Sequence, residues 1–320
     1  MIDRLKNEIG MRLHGVQINV DLVGGCCLSC PSCAVGSIGG VRKGLMTPSL
    51  FTRILDKAER EFKVRRVMLY VYSDPCMHKD LDKFVGECSR RGIDTWISTM
   101  LQVTNCDFGK VIEARPTEMR ISYPGLEQMS YYQSPKADVE RFKRKLGEVS
   151  KLPRHKETTW TLFFHHYRDN SHEIPYAEDL AKEHGLKLVV IPAIFMVLEK
   201  MIRGDYSESD LGVIKRLWET PEEAVSRMKR SDDCIMWKQL TLGASGEVYL
   251  CQLVWSEEFK IAYYLDTPWK EIRRRMKIHP FCGECLSKGG DQYQSCYAPP
   301  ASSMDPVGEA NAKRRLWAAQ

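Results

Sequence analysis

Cys26, Cys30 and Cys33 stand at C-x3-C-x2-C spacing, directly after the run Gln17-Ile18-Asn19-Val20-Asp21-Leu22 and a Gly24-Gly25 bend. Three thiolates on one tight loop can take three corners of a [4Fe–4S] cube and leave its fourth iron open to a ligand that is not protein. An open iron is a place for chemistry. Zinc is the competing metal, and it would need a nearby fourth ligand to close its tetrahedron. Cys27 is adjacent to Cys26, but neighbouring residues are awkwardly placed to share one tetrahedral ion, and Cys27 reads as a small packed apolar side chain. A second set follows much later: Cys234, then Gly246-x4-Cys251, then Cys282-x2-Cys285. By spacing alone this set permits a structural zinc or an iron–sulfur cluster.

The rest of the chain narrows the choice of setting. The 12 cysteines in 320 residues would mean disulfides in a small secreted domain. Met1-Ile2-Asp3-Arg4-Leu5-Lys6, however, carries mixed charge and no apolar core, so no secretory signal is expected and a cytoplasmic location is. The cysteines then read as metal ligands or reactive thiols. The longest apolar stretch, Leu188 to Leu198, is broken by Pro192 and falls far short of the roughly 20 residues of a membrane helix. A net charge of +5 is scattered, with only short clusters such as Arg273-Arg274-Arg275 and Lys313-Arg314-Arg315, so a nucleic-acid partner is not demanded.

The cysteines must be positioned by the elements around them. Short β-type runs at Val16–Leu22, Val67–Tyr72, Thr95–Thr99, Glu118–Ser122, Thr158–Phe164 and Lys187–Ile191 alternate with amphipathic helical stretches. The clearest helix opens with Thr47 as N-cap and Pro48 at its first position, with Leu50, Ile54, Ala58 and Phe62 four apart. Others are expected at Leu81–Cys88, Val139–Val149 and Ile174–Ala181. Right-handed crossovers put such helices outside one parallel sheet, which predicts an α/β fold: a partial (β/α)6 TIM-like barrel with functional loops at the strands' C-terminal ends. The pattern changes after about Gly204. Leu240-Thr241-Leu242, a Gly243-Ala244-Ser245-Gly246 turn and Val248-Tyr249-Leu250 predict a β-hairpin, and Thr267-Pro268 opens a helix through Ile272 and Met276. We therefore expect a barrel over residues 1–205, a small cysteine-bearing C-terminal domain over 206–298 and a tail over 299–320.

C-x3-C-x2-C on the loop after the first strand of a partial barrel resembles the signature of the radical S-adenosylmethionine superfamily, over about residues 16–205. The resemblance implies that the methionine amino and carboxylate groups of S-adenosylmethionine coordinate the open iron. Electron transfer then gives a 5′-deoxyadenosyl radical that removes hydrogen from an unactivated C–H bond. Many members carry an aromatic residue before the third cysteine where this chain has Ser32, so adenine must pack elsewhere. Tyr72-Ser73-Asp74-Pro75 falls where members carry a Gly-Gly-Glu-Pro-like grip on the methionine amino group, with Asp74 supplying the carboxylate. Strand-end position adds Ser98, Thr99, Arg120 and Ser122 as candidates for ribose and carboxylate contacts. The second cysteine set resembles the auxiliary-cluster domains called SPASM and twitch. It lacks the further cysteine run of the full SPASM form, so the shorter twitch form is implied, with Cys234, Cys251, Cys282 and Cys285 each at one corner of a second [4Fe–4S] cluster.

Catalytic candidates follow from the same frame. Cys76, after Asp74-Pro75, is a candidate hydrogen donor to a substrate radical, as is Cys296; for both, as for Cys88 and Cys106, a buried inert thiol is the competing and favoured reading. In His165-His166-Tyr167-Arg168-Asp169 only one histidine can face inward, and His166, Arg168 and Asp169 are candidates to bond a polar substrate. Tyr123, Tyr131 and Tyr132 read as packing or rim aromatics. About fifteen residues precede the first strand, too few for the leader-peptide-binding domain of many peptide-modifying members. The expected activity is oxidation or epimerisation of a small polar, saccharide-like or natural-product-like substrate, with a flavodoxin or ferredoxin as reductant. A peptide-modifying enzyme is the alternative, and a non-catalytic zinc scaffold is the alternative of another class.

Overall fold

The computed structural model describes residues 15–40, 42–126, 129, 137–226, 233–291 and 293. Cys296, Tyr131, Tyr132 and the 299–320 tail lie outside the described residues. In chain order the first elements are β1 (Val16–Val20), α1 (Ala34–Ser37), α2 (Pro48–Glu61), β2 (Val64–Met68), α3 (Leu81–Arg90), β3 (Asp94–Thr99) and α4 (Phe108–Glu113). They continue with β4 (Glu118–Tyr123), α5 (Val139–Ser150), β5 (Thr159–His166), α6 (Ile174–Glu183) and β6 (Lys187–Pro192). The local reasons are those of the sequence. The Thr47 hydroxyl accepts the Leu50 N–H at 3.2 Å and Pro48 sits in the first turn, so α2 starts where expected.

All neighbouring strands from β1 to β6 pair in parallel. Alternation then divides each strand between two faces. Val16, Ile18 and Val20 of β1, Ile97 of β3, Met119, Ile121 and Tyr123 of β4 and Trp160, Leu162 and Phe164 of β5 join one core with Phe51, Ile54 and Ala58 of α2, Phe84 of α3 and Phe142 and Leu146 of α5. Each such side chain contributes about 1.5–3 kcal/mol by leaving water. The opposite parity, Gln17, Asn19, Trp96, Ser98, Arg120, Ser122, Phe163 and His165, faces the concave side of the sheet.

The C-terminal part contains the expected hairpin and joins it to the barrel sheet. After α7 (Leu198–Arg203), α8 (Glu208–Ile214) and α9 (Pro221–Ser226) come β7 (Gln239–Leu242), β8 (Glu247–Tyr249), β9 (Lys260–Tyr263), α10 (Trp269–Ile278) and α11 (Pro280–Ser287). β7 pairs in parallel with β1, and β8 and β9 follow antiparallel, so the described strands form one sheet in the order β6-β5-β4-β3-β2-β1-β7-β8-β9. The hairpin extends the barrel sheet because Leu240 and Leu242 continue the apolar face of Ile18 and Val20. Among the described residues no helix is long and apolar enough to cross a membrane.

Candidate functional site

The cysteine loop leaves the C-terminal end of β1 and is pinned on both sides. Met196 donates its N–H to the Ser32 carbonyl at 2.8 Å, and Cys33 caps α1. A Cβ on Gly36 would lie 2.2 Å from the Cys30 carbonyl oxygen and 2.5 Å from that of Ser29, so α1 backs onto the loop at a distance only glycine allows. The three thiols lie within electrostatic reach of one another. Burial pushes Cys33 up to about 12 and raises Cys30 well above the ordinary thiol value, while a hydrogen bond from Cys27 lowers Cys26. A buried thiol of this kind gives up its proton to a metal partner rather than to water. Three thiols on one loop, with no fourth cysteine besides their neighbour Cys27 interacting with them among the described residues, fit an open-cornered cube.

Behind this loop lies Asp21, the first residue past β1 and 2% exposed. Its Oδ1 accepts the N–H groups of Val71, Tyr72 and Ser73 at 3.1, 2.9 and 3.0 Å and the Ser73 hydroxyl at 2.9 Å. Sequence reading missed Asp21, although its place at the end of β1 was a signal. It fixes the Tyr72-Ser73-Asp74 segment beside the cysteine loop. Asp74 is itself occupied: Oδ1 accepts the Cys76 N–H at 2.9 Å, and Oδ2 accepts the Thr99 hydroxyl at 2.8 Å and the Met100 N–H at 3.1 Å. Thr99 and Asp74 thus tie the segment that follows β2 to the end of β3. Burial raises the carboxyls of both Asp21 and Asp74, with these hydrogen bonds opposing the rise.

The concave face collects the other candidates. Ser98 and Ser122 lie with hydroxyls 3.3 Å apart on adjacent strands. Arg120 is already committed: it forks onto both Glu118 oxygens at 2.8 and 3.0 Å, donates to the Tyr70 hydroxyl at 3.1 Å and stacks 4.0 Å over Trp96. Its charge is matched by Glu118 within the fold.

Two catalytic candidates are displaced. Cys76 is 2% exposed in the sheet–helix core, its thiol against Cys106, which removes it from the concave face where a hydrogen donor would be needed. His166 shares the parity of core Phe164 and packs on Trp218 at 4.8 Å, with Nε2 2.7 Å from the Ser171 hydroxyl. His165 is the histidine of the concave face, and burial pulls its imidazole down to about 4, so it is neutral at physiological pH. Arg168 and Asp169 are likewise spent, Arg168 on the Leu217 and Trp218 carbonyls and Asp169 on Arg216 at 2.7 Å.

The second cysteine set meets in one place. Cys234, Cys251, Cys282 and Cys285 line a single small cavity with Leu198, Met236, Trp237, Leu250 and Phe281. Helix α11 delivers Cys282 and Cys285 three residues apart, and Gly290 closes behind, where a Cβ would lie 2.9 Å from the Cys285 sulfur. Among the described residues no three Cys, His, Asp or Glu side chains converge on a single-ion site. Four thiols around an apolar cavity fit a cube that each ligates at its own iron.

No protein-family profile matches the chain, and no curated protein sequence does. Solved structures do. Streptococcus suis SuiB bound to S-adenosylmethionine matches with a TM-score of 0.57 at 12% identity, over 89% of this chain and 72% of that one. SuiB bound to precursor peptide SuiA matches at 0.58 and 11% identity, over 89% and 71%. Native anSMEcpe with bound AdoMet matches at 0.55 and 12% identity, over 88% and 83%. The chain has the fold of the radical S-adenosylmethionine enzymes. In this radical S-adenosylmethionine fold the loop after β1, the Tyr72–Asp74 segment and the mouth of the concave face open at one end of the sheet, where a parallel α/β scaffold places its chemistry.

Proposed function

We propose that the chain is a radical S-adenosylmethionine enzyme with one auxiliary cluster, acting on a small polar substrate held over the concave face. The observation that carries the reading is the coincidence of two cysteine sets with one fold: three thiols on the loop after β1 and four around one cavity beside β7. We assign residues 1–205 to the barrel, 206–298 to the auxiliary unit, and the electron supply to a flavodoxin or ferredoxin. Cys26, Cys30 and Cys33 would hold the open-cornered cluster and Cys234, Cys251, Cys282 and Cys285 the closed one. When bound, the first cluster with S-adenosylmethionine supplies a 5′-deoxyadenosyl radical for hydrogen abstraction. The chain's own part is positional. Asp21 holds the Tyr72–Asp74 backbone where it would meet the methionine end of the cofactor, while Ser98, Ser122 and neutral His165 would offer hydroxyl and imidazole contacts to an uncharged substrate.

A second reading has a specific observation behind it. SuiB was solved with a precursor peptide and anSMEcpe with a Cp18Cys peptide, the latter at a TM-score of 0.51, so a peptide could occupy the same face here. Anaerobic reconstitution tests the shared part: about eight irons per chain with matching sulfide, and 5′-deoxyadenosine on reduction with dithionite. Zinc without sulfide refutes both readings. Deuterium transfer into 5′-deoxyadenosine from labelled polyols, but not from labelled peptides, separates the first reading from the second.

A further inference from the structure

Arg42 belongs to the loop after the first cysteine set, yet most of its contacts are with the second. The residue is 7% exposed. Nε and one terminal nitrogen donate to the Trp255 carbonyl at 3.0 and 2.7 Å, and the same terminal nitrogen donates to the Val254 carbonyl at 2.9 Å. The other terminal nitrogen lies 3.8 Å from Oδ2 of Asp21. The guanidinium carbon stands 3.5 Å from the ring centroid of Tyr249, 4.4 Å from that of Trp255 and 5.5 Å from that of Tyr72. Tyr249 precedes Cys251 by two residues, and Val254 and Trp255 follow it by three and four. On the far side, Asp21 holds the backbone of Val71, Tyr72 and Ser73.

We propose that Arg42 is a positioning residue that locks the segment around Cys251 to the Tyr72–Asp74 segment, and so sets the spacing between the two cluster sites. The assignment of clusters to those sites rests on the function proposed above; the clamp itself rests on the contacts. Its chemistry explains the residue type. A planar guanidinium can stack its faces on aromatic rings while its edges donate to two carbonyls and meet a carboxylate, which an ammonium point charge cannot do at once. Tyr72 completes the bridge, packed edge-on against Trp255 with ring centroids 5.2 Å apart.

The test is Arg42→Lys in the full chain, by amide hydrogen exchange before reconstitution and by spin–spin interaction between the two reduced clusters afterwards. The expected result is exchange at least about tenfold faster at Val71–Ser73 and at Leu253–Trp255 together, with other core amides unchanged. In the reconstituted variant the iron content stays at the wild-type level while the magnetic interaction between the clusters weakens or broadens. Loosening of only one segment, or of neither, overturns the clamp, and an unchanged magnetic interaction overturns its role in spacing. If the wild type takes up no iron, the cluster reading fails while the exchange experiment still decides the clamp. Should Arg42→Lys fail to fold, Asp21→Asn, which replaces the carboxylate oxygen facing Arg42 by an uncharged amide, carries the same paired expectation.

Discussion

Glu118 and Arg120 lie two apart on β4, both buried, with Arg120 against one side of Trp96 and Arg66 3.3 Å from the same ring. Glu118 is the acid that forks onto Arg120. Glu118→Gln would leave Arg120 without its counter-charge and should destabilise the apo-protein by about 3–5 kcal/mol, read from urea denaturation. A loss under 1 kcal/mol would show that water, not Glu118, solvates the pair. His165 gives a pH signature. Its pKa is lowered by burial from 6.5 to about 4, so between those values the unfolded chain binds a proton that the folded chain does not. Stability must therefore fall as pH drops through that window, and His165→Asn should flatten the fall in the melting temperature between pH 7 and pH 4 relative to wild type; identical slopes would place the imidazole in water. These residues also show what a sequence hides. C-x3-C-x2-C is local and was legible, as was the C-x2-C of the second set. The choice between His165 and His166 was not, since parity needs an anchor, and that anchor is Phe164 packing on Tyr123 from another strand. The occupied state of Asp74 was equally hidden, because its partners Thr99 and Met100 come from the neighbouring strand end.

At the level of elements, helices with capping residues and four-residue apolar spacing were placed from sequence within a residue or two, α2 being the clearest because Thr47, Pro48 and Ile54 all point the same way. Helix α11 and strand β9 went unseen. Helix α11, after its His279 cap, carries Cys282 and Cys285 where an amphipathic helix would show a stripe, and β9 is four residues at a sheet edge. Helix α1 is only four residues long and is set by its packing on the cysteine loop, not by propensity. That packing makes a prediction. Gly36→Ala puts a methyl into the Ser29 and Cys30 carbonyls, and neither backbone can move without moving a cysteine. The variant should keep the far-ultraviolet spectrum of the wild type yet retain about half its iron after desalting, the half held by the second set. Full retention would mean that the loop is more pliable than its contacts imply. A related joint is Asn170, fully buried, which donates to the Pro124 and His165 carbonyls at 2.8 and 3.0 Å and accepts the Tyr167 N–H at 2.8 Å. Asn170→Ala would remove three hydrogen bonds from the ends of β4 and β5, for a loss of about 2–3 kcal/mol in the same denaturation experiment.

For the molecule as a whole, the contacts between the barrel and the C-terminal unit argue that the two melt as one cooperative body. Strand β1 lies between β2 and β7, so the barrel sheet has no edge at β1 unless the C-terminal part is removed. Helix α2 is held from the same side: the Lys57 ammonium donates to the Tyr264 and Thr267 carbonyls at 2.6 and 2.9 Å, Glu61 accepts the Tyr264 hydroxyl at 2.9 Å, and Phe62 meets Trp269 at 5.2 Å. Leu240, Val248, Phe259, Trp269 and Ile272 belong to the same apolar core as Ile18, Phe51 and Ile121. A chain built from separable domains would show polar, loosely packed contacts at the junction instead. Thermal unfolding of the apo-protein should accordingly give one transition, coincident by far- and near-ultraviolet circular dichroism. Trp269→Ala, deep in the shared part, should move that single midpoint down without splitting it, because removing a buried ring costs about 3–5 kcal/mol wherever the whole core melts together. Two resolved transitions, only one of them shifted by Trp269→Ala, would mean that the barrel stands alone and that β7 merely docks on it.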